Sequence, residues 1–265
     1  MEGTHLLNFL RKLRVTARAG GIDAIRFQLL RRILRIAMPQ YRLRWYTLDW
    51  WHDADFNAYL AYFHATDGLN TDRQWIVHQL LRLVADIPGD TAECGVFQGA
   101  TSYLICKANQ QITKFDRTHF MFDSFEGLSE PGPLDGIGWR KGDLAATEEI
   151  ARKRLETCEN VAFMKGWIPC RFGEIADRRF AFVHIDVDLY EPTRDALEFF
   201  YPRLNEGAVL VVDDYGFTSC PGATRAAEEV TGPLAEKMIA LPDGGGFLIK
   251  GRATVPAAQL FGSAV

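Results

Sequence analysis

Four carboxylates stand at the ends of two apolar runs. Asp186 and Asp188 lie in FAFVHIDVDLYEPT (180–193), and Asp213 and Asp214 lie in VLVVDDYG (209–216). If the runs are neighbouring parallel strands, residues two apart share a face and all four acids meet at one sheet edge. Such a gathering repels itself unless something positive sits within it. Oxygen donors at this density suit a hard divalent cation: Mg2+, with Mn2+ and Ca2+ as alternatives. Asp188 has a second use open to it, because it precedes a helix and can cap it.

A second group points to a nucleoside. AECGVFQGATS places Gly95 and Gly99 between a strand and a helix, where the backbone can turn tightly and approach a ligand. The spacing Glu-x-Gly-x-x-x-Gly is not the dinucleotide fingerprint. Asp123, in FMFDSFEG, follows Gly99 by 24 residues, at the end of what reads as the next strand. An acid there either accepts ribose hydroxyls or caps the following turn. Together the two segments suit an adenosine-containing ligand without a pyrophosphate, a description that S-adenosylmethionine fits.

Positioning these residues requires an alternating chain. Strands are expected at 91–96, 118–123, 161–164, 179–186 and 207–213. Helices are expected at 99–111, 145–158, 190–201 and 221–231, with a short one near 169–177. The alternation implies a parallel sheet covered on both faces. KMIALPDGGGFLIKG closes the pattern as two strands joined by a Gly-rich turn. Upstream, Asn70-Thr71 can cap a helix running to Ile87. SFEGLSEPGPLDGIGWRKGDL (124–144) is long for a loop in a compact domain and reads as a lid closing over the acceptor, with a plain surface loop as the alternative. His184 reads as a packed strand residue rather than a ligand. The organisation expected is a basic helical, aromatic-rich extension over 1–70, an α/β domain over 71–253 and a tail over 254–265.

Charge separates these parts. Residues 1–44 hold ten of the 30 Lys and Arg residues but only Glu2 and Asp23 among the 34 acids, although the whole chain is only −4. The arm has apolar residues at helical spacing, interrupted at Gly20-Gly21 and ended by Pro39. It can lie on an anionic membrane surface or serve packing and homodimer contacts. No nucleic-acid-reading motif accompanies its arginines. The five cysteines form no CxxC pair, which points to a reducing, cytoplasmic setting, at the inner face of the membrane if the arm binds lipid. No apolar run is long enough to span a bilayer.

HIDVDLYEPTRDALEFFYPRLNEGAVLVVDDYG, together with ECGVFQGATS and FDSFEG, resembles the signature of the macrocin O-methyltransferase (TylF-type) family over roughly 70–251. The resemblance implies a class I methyltransferase fold, Rossmann-like and three-layered: a mostly parallel seven-stranded sheet whose last strand is antiparallel. It implies S-adenosylmethionine, Mg2+ and methylation of a sugar or glycoside hydroxyl. Carried over by motif, Asp186, Asp213 and Asp214 become metal ligands and Asp188 the general base. Glu93, Gly95, Ser102, Asp123 and Ser124 fall around the methyl donor, Gly99 and Asp186 join them, and Gly166-Trp167 matches a segment near the adenine. Phe97-Gln98-Gly99-Ala100 stands where the family has a Trp-Arg-Gly-Gly-like turn. Val187 and Pro192 replace a Gly and a Ser, differences that bear on the acceptor more than on the chemistry.

Rival functions explain less. A metal-dependent glycosyltransferase would use the Asp-x-Asp segment to grip a nucleotide-sugar, leaving ECGVFQG, FDSF and Asp213-Asp214 without a role. A phosphatase of the Asp-x-Asp-x-Thr/Val type needs Thr or Val where Tyr190 stands.

Overall fold

The computed structural model describes residues 53–63, 71–242 and 244–255, with scattered helical positions between 26 and 37. Most of the basic arm, the Gly20-Gly21 break, Pro39, Asn70 and the tail beyond 255 lie outside the described residues. The chain divides into two compact units, Met1–Tyr59 and Leu60–Val265. Asp53, in the first, opens helix α1 (Ala54–Tyr62), whose last residues belong to the second: its Oδ1 accepts the Phe56 amide at 2.8 Å, a side-chain cap in the first turn.

The second unit is built on a seven-stranded sheet in the order β3-β2-β1-β4-β5-β7-β6. The strands are β1 (Asp90–Cys94), β2 (His119–Asp123), β3 (Val161–Lys165), β4 (Phe180–Ile185), β5 (Leu204–Val212), β6 (Ile239–Ala240) and β7 (Gly246–Ile249). The first five run parallel, and β7 is antiparallel to both β5 and β6. The helices are α2 (Thr71–Leu81), α3 (Ala100–Gln111), α4 (Glu148–Arg154), α5 (Tyr190–Phe200) and α6 (Pro221–Thr231). The strand order reverses between β1 and β4, so their carboxyl ends open the crevice where such sheets bind ligands.

β4 is buried at every position, as expected of a central strand covered on both faces. On one side Ala92, Phe122, Val183, Ile185, Leu210 and Val212 pack with Ala196, Leu197 and Phe200 of α5. Phe200 meets Phe180 and Phe172 edge-on at 5.1 and 5.2 Å, contacts that add about 0.5–1.5 kcal/mol each beyond area burial. Met121 on the opposite side packs with Ala151 and Leu155 near α4. Several boundaries differ from expectation: the helix expected to reach Ile87 ends as α2 at Leu81 with a 3-10 turn at Arg82–Val84, the short helix expected near 169–177 is a 3-10 turn at Phe172–Ile175, and β1 ends at Cys94. β5 begins at Leu204, which pairs with Phe180 across a register shift. α4 is shorter than expected because Thr147 is extended (φ −80°, ψ 146°) at its start and Leu155 has left helical geometry at its end.

Candidate active site

The carboxyl end of β1 leads directly into the site. Gly95 has φ +85°, and a Cβ there would lie 1.7 Å from the Asp186 carbonyl oxygen. The glycine is required because β1 and β4 stay in contact beyond their formal ends, through the Asp186 amide and the Cys94 carbonyl at 2.8 Å. Asp123, at the end of β2, accepts the Val96 and Phe97 amides on Oδ2, both at 2.8 Å, and the Phe125 amide on Oδ1 at 2.7 Å. It therefore fixes the glycine turn and caps its own turn while still facing the cavity.

That cavity measures about 470 Å³. Gly95, Asp123, Ser124, Gly166, Trp167, Asp186, Asp188 and Asp214 line it, so most of the residues expected at the site converge there. A smaller cavity of about 100 Å³ adjoins it through Arg73, Gly95, Phe97 and Asp186, and Glu93 and Asp213 face this second space. Gly99 and Ser102 line neither. Gly99 is the left-handed residue before α3 and backs onto Leu155. Ser102 is fully buried and donates its hydroxyl to Glu93.

The four aspartates do meet at one edge, in two different situations. Asp213 receives a hydrogen bond from Arg73 of α2 and lies 3.5 Å from His184 Nε2. His184 Nδ1 lies 3.2 Å from Glu93 on its other side. Neither contact is a formed hydrogen bond; each is an ion pair once the imidazole carries its proton. Burial opposes charge on His184, yet Asp213 and Glu93 together raise its pKa to about 10. Burial would raise Asp213 as well, but His184 and Arg73 hold it below the usual carboxylate range. His184 is thus buried in its strand, as the sequence suggests, but as the charged centre of an ion-pair network.

Among the described residues, Asp188 and Asp214 have no such cationic partner at hydrogen-bond distance. Asp188 adopts a left-handed backbone (φ +60°), held by its amide donating to Asp214 Oδ2 at 2.8 Å. Burial, then Asp188 and Asp213, push Asp214 up to about 7; burial pushes Asp188 up to about 6 against the influence of Cys220 and Arg73. Burial and the three neighbouring aspartates raise Asp186 well above its usual value. Among the described residues, ligand atoms of Asp188, Asp214 and Cys220 come within 4.8 Å of one another. Mutually repelling carboxylate oxygens of this kind fit a hard divalent cation.

Several residues at the site were not singled out from the sequence: Arg73, Glu191 and Asp195 line the main cavity, beside Trp139 of the segment expected as a lid. Asp195 and Glu191 are four apart on α5, a spacing that puts both on one face. The segment expected as a lid is ordered: Leu128 and Asp143 pair across its neck at 2.8 Å, and Trp139 Nε1 donates to the Ser219 carbonyl at 2.9 Å.

Comparison with known proteins agrees with this geometry. Residues 72–239 match the family model described as macrocin-O-methyltransferase (TylF). A tetracenomycin-C 4'-O-methyltransferase of Streptomyces olivaceus, acting on the 8-demethyl-8-(2,3-dimethoxy-alpha-L-rhamnosyl) compound, is 31% identical over 168 residues, covering 58% of this chain and 64% of that protein. Demethyldecarbamoylnovobiocin O-methyltransferase of Streptomyces niveus is 32% identical over 155 residues, covering 54% and 58%. The chain thus spans less than two thirds of the length of these relatives. The solved structure of the O-methyltransferase NovP superposes with a TM-score of 0.57 at 29% identity, covering 69% of this chain and 81% of that one. The fold is that of the class I O-methyltransferases, and the chain belongs to the macrocin O-methyltransferase family.

Proposed function

We propose that this protein transfers a methyl group from S-adenosylmethionine to a hydroxyl of a sugar or glycosylated acceptor, with a divalent cation, Mg2+ before Mn2+ or Ca2+, at the acidic edge. The observation that carries this reading is the pairing of an Asp123-lined cavity with Asp186, Asp188 and Asp214, whose shared wall calls for a positive charge. The relatives named above support the choice of a glycosylated acceptor. A nucleotide-sugar diphosphate fits less well, since among the described residues six acids and one cation, Arg73, line the main cavity.

S-Adenosylmethionine brings an electrophilic methyl group, and a bound cation lowers the cost of charge on a hydroxyl oxygen. Asp186 and Asp214 would hold that cation; Asp213, the third ligand that the resemblance implies, would join them only once Arg73 releases it, since a guanidinium beside a ligand repels a cation. Asp123 holds the donor's ribose while its remaining lone pairs keep the glycine turn in place. Gly95, Ser124, Gly166 and Trp167 shape the rest of the donor site, and Gly99, Glu93 and Ser102 support it from behind. Asp188 takes the hydroxyl proton. With a pKa of about 6 it is mostly ionised at neutral pH yet basic enough to accept.

Calorimetry with S-adenosylhomocysteine, in Mg2+ and after EDTA, tests the reading. Micromolar binding that weakens at least tenfold in Asp123→Ala is expected, whereas no binding in either condition would overturn it.

A further inference from the structure

We infer that Asp135, in the long segment between β2 and α4, is a positioning residue: it latches that segment to the turn carrying Asp188 and so sets Asp188 for proton transfer. The inference rests on the reading of Asp188 as the proton acceptor.

Asp135 is 2% exposed, although its segment is rich in Gly and Pro and runs over the surface. Both of its oxygens are engaged. Oδ2 accepts the Gly132 amide at 2.7 Å and Oδ1 accepts the Tyr190 amide at 2.6 Å. Tyr190 opens α5, whose own N-cap residue, Leu189, has no side-chain cap. A carboxylate from 55 residues away therefore supplies the cap that the local sequence lacks. A Cβ on Gly222, in the first turn of α6, would lie 2.0 Å from the same Oδ1. The carboxylate thus sits where two helices begin, and Gly222 leaves the room for it.

The turn that Asp135 holds is the one bearing Asp188. Only Leu189 separates Asp188 from Tyr190, and Asp188 has the strained left-handed backbone. The same latch reaches Asp188 from its other side. Gly222 follows Cys220 by two residues, and Cys220 Sγ is 3.7 Å from Asp188 Oδ1. Trp139 ties the same segment to Ser219, the residue before Cys220. Closing the segment over the cavity and aiming Asp188 are consequently one event. A segment that lifts away releases the α5 cap and frees Asp188 to leave its strained backbone.

The test compares Asp135→Ala, Asp135→Asn and Gly222→Ala in the full chain. Gly222→Ala leaves the carboxylate in the chain but crowds both it and the Tyr190 amide that it caps, 2.9 Å from the added Cβ. In Asp135→Ala and Gly222→Ala kcat should fall at least about tenfold, the scale of a small misplacement of a reacting group, while S-adenosylhomocysteine affinity stays within about twofold. Asp135→Asn should lose less, because its carbonyl oxygen can still accept the Tyr190 amide. In an Asp188→Asn background, Asp135→Ala should cost nothing further, and the Tyr190 amide should lose hydrogen-exchange protection in Asp135→Ala. Turnover retained in both disruptive variants, a loss that multiplies with Asp188→Asn, or donor affinity falling in step with kcat would each overturn the inference. Wild-type turnover in Asp188→Asn alone would instead refute the proton-acceptor reading, and unchanged Tyr190 protection would refute the latch.

Discussion

Asp213 and Asp214 are adjacent in sequence, similarly buried, and shifted in opposite directions from the ordinary carboxylate. Asp213 turns toward α2 and β4, where Arg73 and His184 keep it ionised. Asp214 turns toward Asp188 and Cys220, and its pKa is driven up to about 7. Burial is alike on the two sides, so burial does not decide the charge; the partners do. One side is closed electrostatically by the protein itself. The other is left negative, facing the cavity, and is where an incoming cation and acceptor have work to do.

The sharpest way to break this contrast is on the open side. Asp188→Asn keeps the shape and removes the basic carboxylate. Turnover should fall by about 10²–10⁴, the usual contribution of a positioned acid–base group, with S-adenosylhomocysteine binding preserved. Methyl transfer measured beside calorimetry checks both, and wild-type turnover would leave the open side without its proton acceptor.

On the closed side the expected cost is to folding. His184→Ala removes the cation between Glu93 and Asp213, both buried. Breaking a buried pair in this way typically costs about 3–5 kcal/mol, because a charge is left uncompensated. Urea unfolding should show that loss. A change below about 1 kcal/mol would mean that Arg73 or water compensates both acids, placing them among surface-like pairs.

The open side was legible in the sequence because its residues are local. Asp186 and Asp188 alternate at a strand end, Asp213 and Asp214 end the next, and parallel pairing of Ile185 with Val212 brings them together. Most of the sheet was legible for the same reason: apolar runs of strand length alternate with helical periods. The closed side was not. His184 depends on Glu93, 91 residues earlier, and on a parallel register that pairs the two directly. The usable signal was a charged residue inside each apolar run, since a buried lone charge must find a partner. Asp135 carried still less signal. Pro-Leu-Asp-Gly reads as a surface turn, and only the missing cap at Leu189 and the absent side chain of Gly222 give that aspartate its place.

A smaller effect separates the two sides by ligand. A cation that binds only the folded protein should stabilise it by about 2.7 kcal/mol at a hundred times its Kd. Thermal unfolding in Mg2+ against EDTA should show an upward shift in the wild type that is lost in Asp214→Asn. A shift surviving in that variant would move the cation away from the open side.

The smallest expected effect concerns a second histidine in the same polar chain. His119 and His184 are each 1% exposed. His119, however, has hydroxyl rather than carboxylate partners among the described residues, Thr91 Oγ1 at 3.0 Å and Ser102 Oγ at 3.2 Å. Without a carboxylate, burial drives its pKa down to about 3, against about 10 for His184. In the folded protein His119 therefore stays neutral where the unfolded chain, near its ordinary 6.5, takes up a proton. Its contribution to stability is complete above pH 6.5 and is lost as pH falls toward 3, amounting to about 2 kcal/mol by pH 5. His184 has the opposite sign, contributing below its unfolded pKa and losing that contribution as pH rises through about 10. Replacing His119 with Gln should flatten the decline in stability between pH 6.5 and 5 while leaving its alkaline side alone. An unchanged acid slope would show that hydroxyl partners and burial do not keep an imidazole neutral here, and that the contrast between the two aspartates has some origin other than the partners each one faces.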